Sequence, residues 1–256
     1  MRKVLRGRDN KSYWDERWSK FEEDQDEFEN LEIYPIKYAG KVARKNALML
    51  EAGCGLGRVL KHYHFKGYRI VGMELSMIAL KKLKKHQSLK LVNADIKRLP
   101  FQDSTFDSVM AFGLYHNIEH GIDQAIRETY RCIKDDGCLC ASVRCDNIEN
   151  RLIDFLSGSK KSEKAFHKWC FTPVEFTGML EKEGFTIKSV DLVSNVPFLF
   201  KFRLFRKAKS FSESKARSEG FQLSSTGRLI HKLLKRISPS SFCNTIVVTA
   251  QKNARR

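Results

Sequence analysis

Short apolar runs alternate with helix-like stretches through the middle of the chain. Residues 47–51 form an apolar run that predicts a buried strand, and so do 69–74, 89–93, 106–112 and 137–143. Between them the pattern predicts a helix beginning near Arg58, another over 76–86 with Lys81, Lys82, Lys84 and Lys85 as its charges, and a third over 122–134. Strands and helices alternating at this spacing predict a parallel sheet covered on both faces. Residues 185–193 predict a sixth strand, and 244–250, with a β-branched centre, a seventh. Residues 12–45 read as helical, with Trp14, Trp18, Phe21, Phe28, Leu31, Ile33 and Tyr34 as apolar anchors and Pro35 as an interruption. Residues 151–183 also read as helical, broken around 171–173 and stopped by Gly184. The expected organisation is an N-terminal helical cap over 1–45, a core domain over 46–195 and 244–251, and a basic helical insertion over 196–243, acting as lid or cap.

With 256 residues, 42% of them apolar, the chain can bury one large α/β core. No run approaches the ~18 apolar residues of a membrane-spanning helix. The basic start Met1-Arg-Lys-Val-Leu-Arg6 is not followed by an apolar stretch, so no secretory leader is expected. A cytoplasmic protein, peripheral at most to a membrane, is the expectation. Seven cysteines include no Cys-x-x-Cys pair. The spacing of Cys132, Cys138, Cys140 and Cys145 does not suit a tetrahedral metal site, so buried free thiols and no metal are expected. The net charge of +17 is uneven: residues 198–256 hold 14 Lys and Arg against 2 Asp and Glu. An acidic run, Glu22, Glu23, Asp24, Asp26, Glu27, Glu29 and Glu32, reads as a solvated helix face.

The candidate chemistry lies at the ends of the first strands. Glu51-Ala-Gly-Cys-Gly-Leu-Gly57 follows a predicted strand and opens a helix, where glycines permit a sharp turn and close approach of a ligand. An acid just below the turn suits a cationic or amine-bearing ligand better than a pyrophosphate. Glu74 ends the second strand, where a carboxylate can accept both hydroxyls of a ribose. Asp95, just past the third strand, can accept from an exocyclic purine amine, and the Ile96 N–H can donate to the adjacent ring nitrogen.

Taken together, these residues with Ala94-Asp95, Leu99-Pro-Phe101 and Phe106-Asp107 resemble a class I S-adenosylmethionine-dependent methyltransferase. The resemblance is to the ubiquinone/menaquinone-biosynthesis-like (methyltransferase type 11) subgroup. Residues 127–137 resemble that subgroup's helix into the fifth strand, with Asp135-Asp136 where it usually has Pro-Gly. The similarity covers about 45–145 and is weaker over 171–193 and 244–251. It implies a Rossmann-like seven-stranded, mostly parallel sheet with an antiparallel last strand, and S-adenosylmethionine as cofactor. It further implies that Gly53, Gly55 and Gly57 wrap the methionine and ribose and that Glu51 meets the amino group through the loop. Glu74, with Leu75 beside it, would take the ribose, Asp95 and Ile96 the adenine, and Phe112 and Gly113 the methionine end.

In-line transfer from a sulfonium needs alignment first and a base only for a weakly acidic acceptor. Tyr115, His116 and His120 follow the fourth strand, and Tyr115 and His116 are the catalytic candidates, with His116 expected to face the methyl group. The Asn/Asp-Pro-Pro-Tyr/Phe motif of amino-nitrogen methyltransferases is absent, since that place reads Phe112-Gly-Leu-Tyr115. A small-molecule or lipid-linked acceptor is expected. The alternatives are an RNA-directed enzyme using the basic insertion and a non-catalytic S-adenosylmethionine-binding scaffold. Residues 196–243 interleave aromatics with cations over 198–206 and place Leu223, Thr226, Leu229, Ile230, Leu233, Leu234 and Ile237 on one helical face. That face serves a cap on the core, a lid over a greasy acceptor touching anionic membrane, or an RNA surface.

Overall fold

A computed structural model describes residues 1–6, 10–20, 34–86, 88–148, 151, 165–194, 197–207 and 221–253. Phe21, Phe28, Leu31, Ile33, the acidic run over 22–32 and the helical reading of 152–164 lie outside the described residues. The strands are β1 (Arg2–Arg6), β2 (Leu48–Ala52), β3 (Arg69–Glu74), β4 (Lys90–Asn93), β5 (Phe106–Phe112), β6 (Ile133–Arg144), β7 (Ala165–Cys170), β8 (Phe185–Val193) and β9 (Thr245–Lys252). The α-helices are α1 (Asn10–Lys20), α2 (Tyr34–Ala39), α3 (Arg58–Phe65), α4 (Met77–Leu83), α5 (Ile122–Cys132), α6 (Pro173–Lys182) and α7 (Ser225–Ile237).

Seven strands form one sheet in the order β4-β3-β2-β5-β6-β9-β8. The first five are parallel, and β9 enters antiparallel between β6 and β8. All seven strands expected from the apolar runs are present, including the antiparallel last one. Side chains alternate across the sheet. Met49 and Met110 join one apolar cluster with Leu60, Ile70 and Val247, while Leu50 and Val109 join the other with Ile126, Leu139 and Phe176. Both faces are therefore covered, which is why β2 reads as a continuous apolar run.

The loop after β4 is held by α5. Arg131 donates to the carbonyls of Leu99 and Phe101 at 3.1 and 2.7 Å and pairs with Glu128 at 2.9 Å. Glu128 accepts from the Leu99 N–H at 2.9 Å. The Glu-x-x-Arg spacing on the helix thus clamps the Leu99-Pro-Phe101 segment.

One element departs from expectation. Residues 165–170, read as helical, are strand β7, paired antiparallel with β1 as a separate two-stranded ribbon. Pairing satisfies the backbone of both segments, and alternate residues Phe166 and Cys170 of β7 and Val4 of β1 turn inward. Trp169 pins the ribbon to the turn after β5, its Nε1–H donating to the Ile118 carbonyl at 3.0 Å, and Lys3 pairs with Glu119 at 2.7 Å.

Candidate active site

The strand order reverses between β2 and β5, so the crevice opens beyond the carboxyl ends of β2, β3 and β5. There the chain turns from β2 into α3 through Gly53, Gly55 and Gly57, with φ of 70°, 53° and 73°. At Gly55 a Cβ would lie 2.9 Å from the Trp18 ring, and at Gly57, the left-handed cap of α3, 2.8 Å from Leu83. A side chain is excluded at both positions by backbone conformation and by space.

Glu74 fastens this turn to the end of β3. Its Oε2 accepts from the Gly55 N–H at 2.9 Å, and its Oε1 accepts from the N–H groups of Leu75 and Ser76, each at 2.9 Å. Asn93 ties the neighbouring strand end in, donating to the carbonyls of Glu74 and Leu75 at 2.9 and 3.0 Å. The carboxylate is thereby held at the crevice with acceptor capacity left over. Leu75 is exposed beside it.

Glu51 is buried beneath the turn and accepts from the Leu60 N–H, inside the first turns of α3, at 2.7 Å. Burial pushes its carboxyl up to about 8, and the Glu74 charge adds to this against the Leu60 N–H and Arg58. Two carboxylates around one glycine turn disfavour a phosphate and favour a ligand carrying positive charge. The residues present therefore fit an ammonium- and sulfonium-bearing nucleoside.

Asp95 sits just past β4, its Oδ1 accepting from the Lys97 N–H at 2.9 Å and its Oδ2 3.5 Å from Lys97 Nζ. The Ile96 side chain is buried in the core. At the end of β5, the Gly113 N–H is held by the Ser142 hydroxyl at 3.0 Å, and Asn117 Nδ2 donates to the Gly113 carbonyl at 2.6 Å. Phe112 meets Tyr34 edge-on, with ring centroids 6.2 Å apart.

The two catalytic candidates part company here. Tyr115 is fully buried in the core against Phe176, its hydroxyl 2.8 Å from Thr129 Oγ1, which itself donates to the Ala125 carbonyl. Burial raises its phenol far out of the working range. Tyr115 is thus corrected from candidate base to core residue: the short 3-10 turn Tyr115–Asn117 sends it away from the crevice. His116, next to it, packs at Gly113, its Cε1 3.6 Å from where a Cβ would stand. Its Nδ1 is buried with no hydrogen-bond partner among the described residues. Burial, then the charges of Arg144, Lys168 and His167, hold the ring well below the ordinary histidine range, so it is neutral. His120 is exposed beside Glu119, 3.7 Å away.

The crevice also has a cover that the sequence pattern did not assign to it. Helix α1 lies across the glycine turn, with Trp14 and Trp18 stacked at 5.3 Å and Trp18 against Gly55. Asp15 accepts from the Ser76 hydroxyl at 2.7 Å, and Lys82 Nζ donates to the Ser19 carbonyl at 3.2 Å. Tyr13 meets His167 of β7 edge-on at 5.1 Å. The signal available was the Trp14-x-x-x-Trp18 spacing, which marks one helix face without saying what it covers. Asp15, Ser142 and Arg144 carried no sequence signal. Among the described residues, no three His, Cys, Asp or Glu side chains form a group that could hold a metal ion.

Residues 50–141 match a family described as a methyltransferase domain. The chain is 29% identical over 178 residues to an uncharacterized protein of Methanocaldococcus jannaschii, covering 68% of this chain and 69% of that one. It is 35% identical over 94 residues to the ubiquinone/menaquinone biosynthesis C-methyltransferase UbiE of Bartonella henselae, covering 36% of this chain and only 31% of that enzyme. A solved SAM-dependent methyltransferase from Archaeoglobus fulgidus superposes with a TM-score of 0.58 at 18% identity, over 86% of this chain and 94% of that one. That likeness is one of fold.

Proposed function

Since the chain belongs, through residues 50–141, to the class I S-adenosylmethionine-dependent methyltransferases of the UbiE-like type, we propose that it transfers a methyl group to a small-molecule or lipid-linked acceptor at the β5 end of the crevice. S-adenosylmethionine, when bound, supplies a methyl group on a positively charged sulfur, already activated for displacement. The chain's part is to bind, align and exclude water. Gly53, Gly55 and Gly57 would leave room for the ligand's backbone, Glu74 would take the ribose hydroxyls, and Asp95 the adenine amine. Glu51, protonated in the free protein near pH 7, would ionise beneath the turn when the positively charged ligand binds, and α1 covers the site.

The observation that carries the reading is the convergence of the glycine turn and the Glu74 carboxylate at the same switch point as His116. A neutral, buried imidazole with an unpartnered Nδ1 can meet an acceptor substrate there, accepting from an O–H or N–H in one tautomer and donating to an anionic oxygen in the other. The positive charges of Arg144 and Lys168 around it oppose formation of an imidazolium. They favour instead a substrate that is already anionic, for which His116 positions and no proton need move.

The test is incubation of the purified protein with isotope-labelled methyl donor and a metabolite extract, followed by identification of the labelled product. The expected product is a methylated acid or lipid-linked anion. His116→Ala, by loosening the acceptor's alignment, should lower its formation roughly 10²-fold with cofactor affinity unchanged. Cofactor binding without label transfer to any component would support the non-catalytic scaffold instead.

A further inference from the structure

The insertion between β8 and β9 has its own small core. Leu199, Phe200 and Leu223 are buried there, with Phe205, Ile230 and Leu234 packed against them. Gly227 of α7 seats against the preceding 3-10 turn, where a Cβ would stand 2.7 Å from the Phe205 carbonyl. The Ser224 hydroxyl caps the helix by accepting from the Gly227 N–H at 3.2 Å. So α7 already has a partner for one apolar strip.

Its apolar face is wider than that partner. Leu229, Leu233 and Ile237, four residues apart and hence in one row, are 61%, 51% and 81% exposed. Leu204, on the 3-10 turn packed against α7, is 79% exposed. Beside this row, Arg228, Lys232, Lys235 and Arg236 occupy the remaining face. The described residues 197–207 and 221–243 contain 8 Lys and Arg and no Asp or Glu. A solvent-facing helix has no use for three large aliphatic side chains in a row, and a core-facing helix would have buried them.

Aliphatic rows flanked by cations fit one surface best. An RNA face would present a row of flat aromatic rings for base stacking, whereas the row on α7 is Leu, Leu and Ile, and the neighbouring 3-10 segment adds the ring of Phe202, 48% exposed, next to the aliphatic Leu204. We infer that α7 and its 3-10 turn dock in the plane of an anionic lipid bilayer, aliphatic row inserted and Lys232, Lys235 and Arg236 at the headgroups. No helix among the described residues is long and apolar enough to cross a membrane, so the contact is peripheral.

The topology gives the contact a purpose. Arg144 at the end of β6 pairs with Thr245 at the start of β9, which pairs with Val193 at the end of β8. Both roots of the insertion therefore leave the sheet at the end where the crevice opens. Asn147 Nδ2 donates to the Cys243 carbonyl at 2.7 Å, and Cys145 Sγ lies 3.5 Å from the Ser240 carbonyl, which fixes the root to the segment after β6. A bilayer under α7 would lie at the crevice end of the molecule.

Vesicle flotation tests this without any methyl transfer. The parent should float with vesicles containing phosphatidylglycerol and not with phosphatidylcholine alone. Substituting Leu229→Ser, Leu233→Ser and Ile237→Ser together should cut partitioning at least roughly tenfold. Substituting Lys232→Ser, Lys235→Ser and Arg236→Ser should cut it on the order of 100-fold, with the parent's binding weakened by salt. Five of the six side chains are exposed and Lys235 is half-buried, and retained cofactor binding shows that each variant is folded. A parent that stays with the unbound fraction, or an aliphatic variant that floats like the parent, overturns the inference. Salt-sensitive retention on RNA that survives loss of the aliphatic row would also overturn it, in favour of a nucleic-acid face. A parent that floats yet transfers no methyl group counts against the catalytic reading alone.

Discussion

Glu51 offers a sharp consequence of burying an acid beneath the glycine turn. Its carboxyl stands at about 8, against an ordinary value of 4.5, because burial disfavours the charge. The folded chain therefore keeps a proton that the unfolded chain has released between these two values. Raising the pH through that window costs stability at about 1.4 kcal/mol per pH unit, and roughly 5 kcal/mol across all of it. Glu51→Gln keeps an oxygen for the Leu60 N–H, 2.7 Å away, and cannot ionise. Urea unfolding of both proteins without ligand should show the parent losing about 2–3 kcal/mol relative to the variant from about pH 6 to about pH 8. Other titrating groups are common to both chains and drop out of the difference. A cationic ligand should reverse the balance, since it favours the ionised carboxylate: the parent should release protons on binding S-adenosylmethionine near pH 7, visible as a dependence of calorimetric heat on buffer. Parallel stability profiles for parent and variant would refute the reasoning, as would binding heats that do not depend on buffer.

Among the described residues the Tyr115 hydroxyl hydrogen-bonds to Thr129, so Tyr115→Phe should cost about 1 kcal/mol in urea unfolding and leave methyl transfer unchanged. A large loss of turnover at full stability would return Tyr115 to the reaction. Trp18→Ala uncovers the glycine turn and should weaken cofactor affinity about tenfold while sparing the fold, because the core clusters contain no part of α1; fluorescence titration or calorimetry would read this.

The centre of the seven-stranded sheet was legible because its strands are buried on both faces and read as apolar runs, as at Met49, Leu50 and Ala52, while the edge strands β4 and β8 were legible as short apolar stretches between helices. The ribbon was not. Ala165–Cys170 mixes Phe166 and Trp169 with His167 and Lys168, and its partner Arg2–Arg6 lies more than 150 residues away in sequence, so neither segment carries the pairing by itself. In the site, positions of Glu51, Glu74 and Asp95 at strand ends could be read from spacing alone. Their engagements could not: nothing local says that Glu51 reaches Leu60, or that Asp95 turns one oxygen to its own loop. Tyr115 and His116 are adjacent in sequence and were both candidates, with His116 expected to face the methyl group, but only the 3-10 turn decides that Tyr115 joins the core. The row at Leu229, Leu233 and Ile237 was visible as helical periodicity, but its exposure belongs to the tertiary structure.

The central claim is that the glycine turn with its two carboxylates binds S-adenosylmethionine, and isothermal titration calorimetry tests it most directly. The parent should bind S-adenosylmethionine and its demethylated product at one common site and show no heat with NAD. Gly55→Val should bind neither adenosyl ligand, since its side chain would collide with the Trp18 ring, 2.9 Å from the Cβ, at a φ of 53° that a β-branched residue resists, so the turn must deform, while circular dichroism shows a folded domain. Absence of heat with both adenosyl ligands in the parent, or unchanged binding by Gly55→Val, would contradict the account.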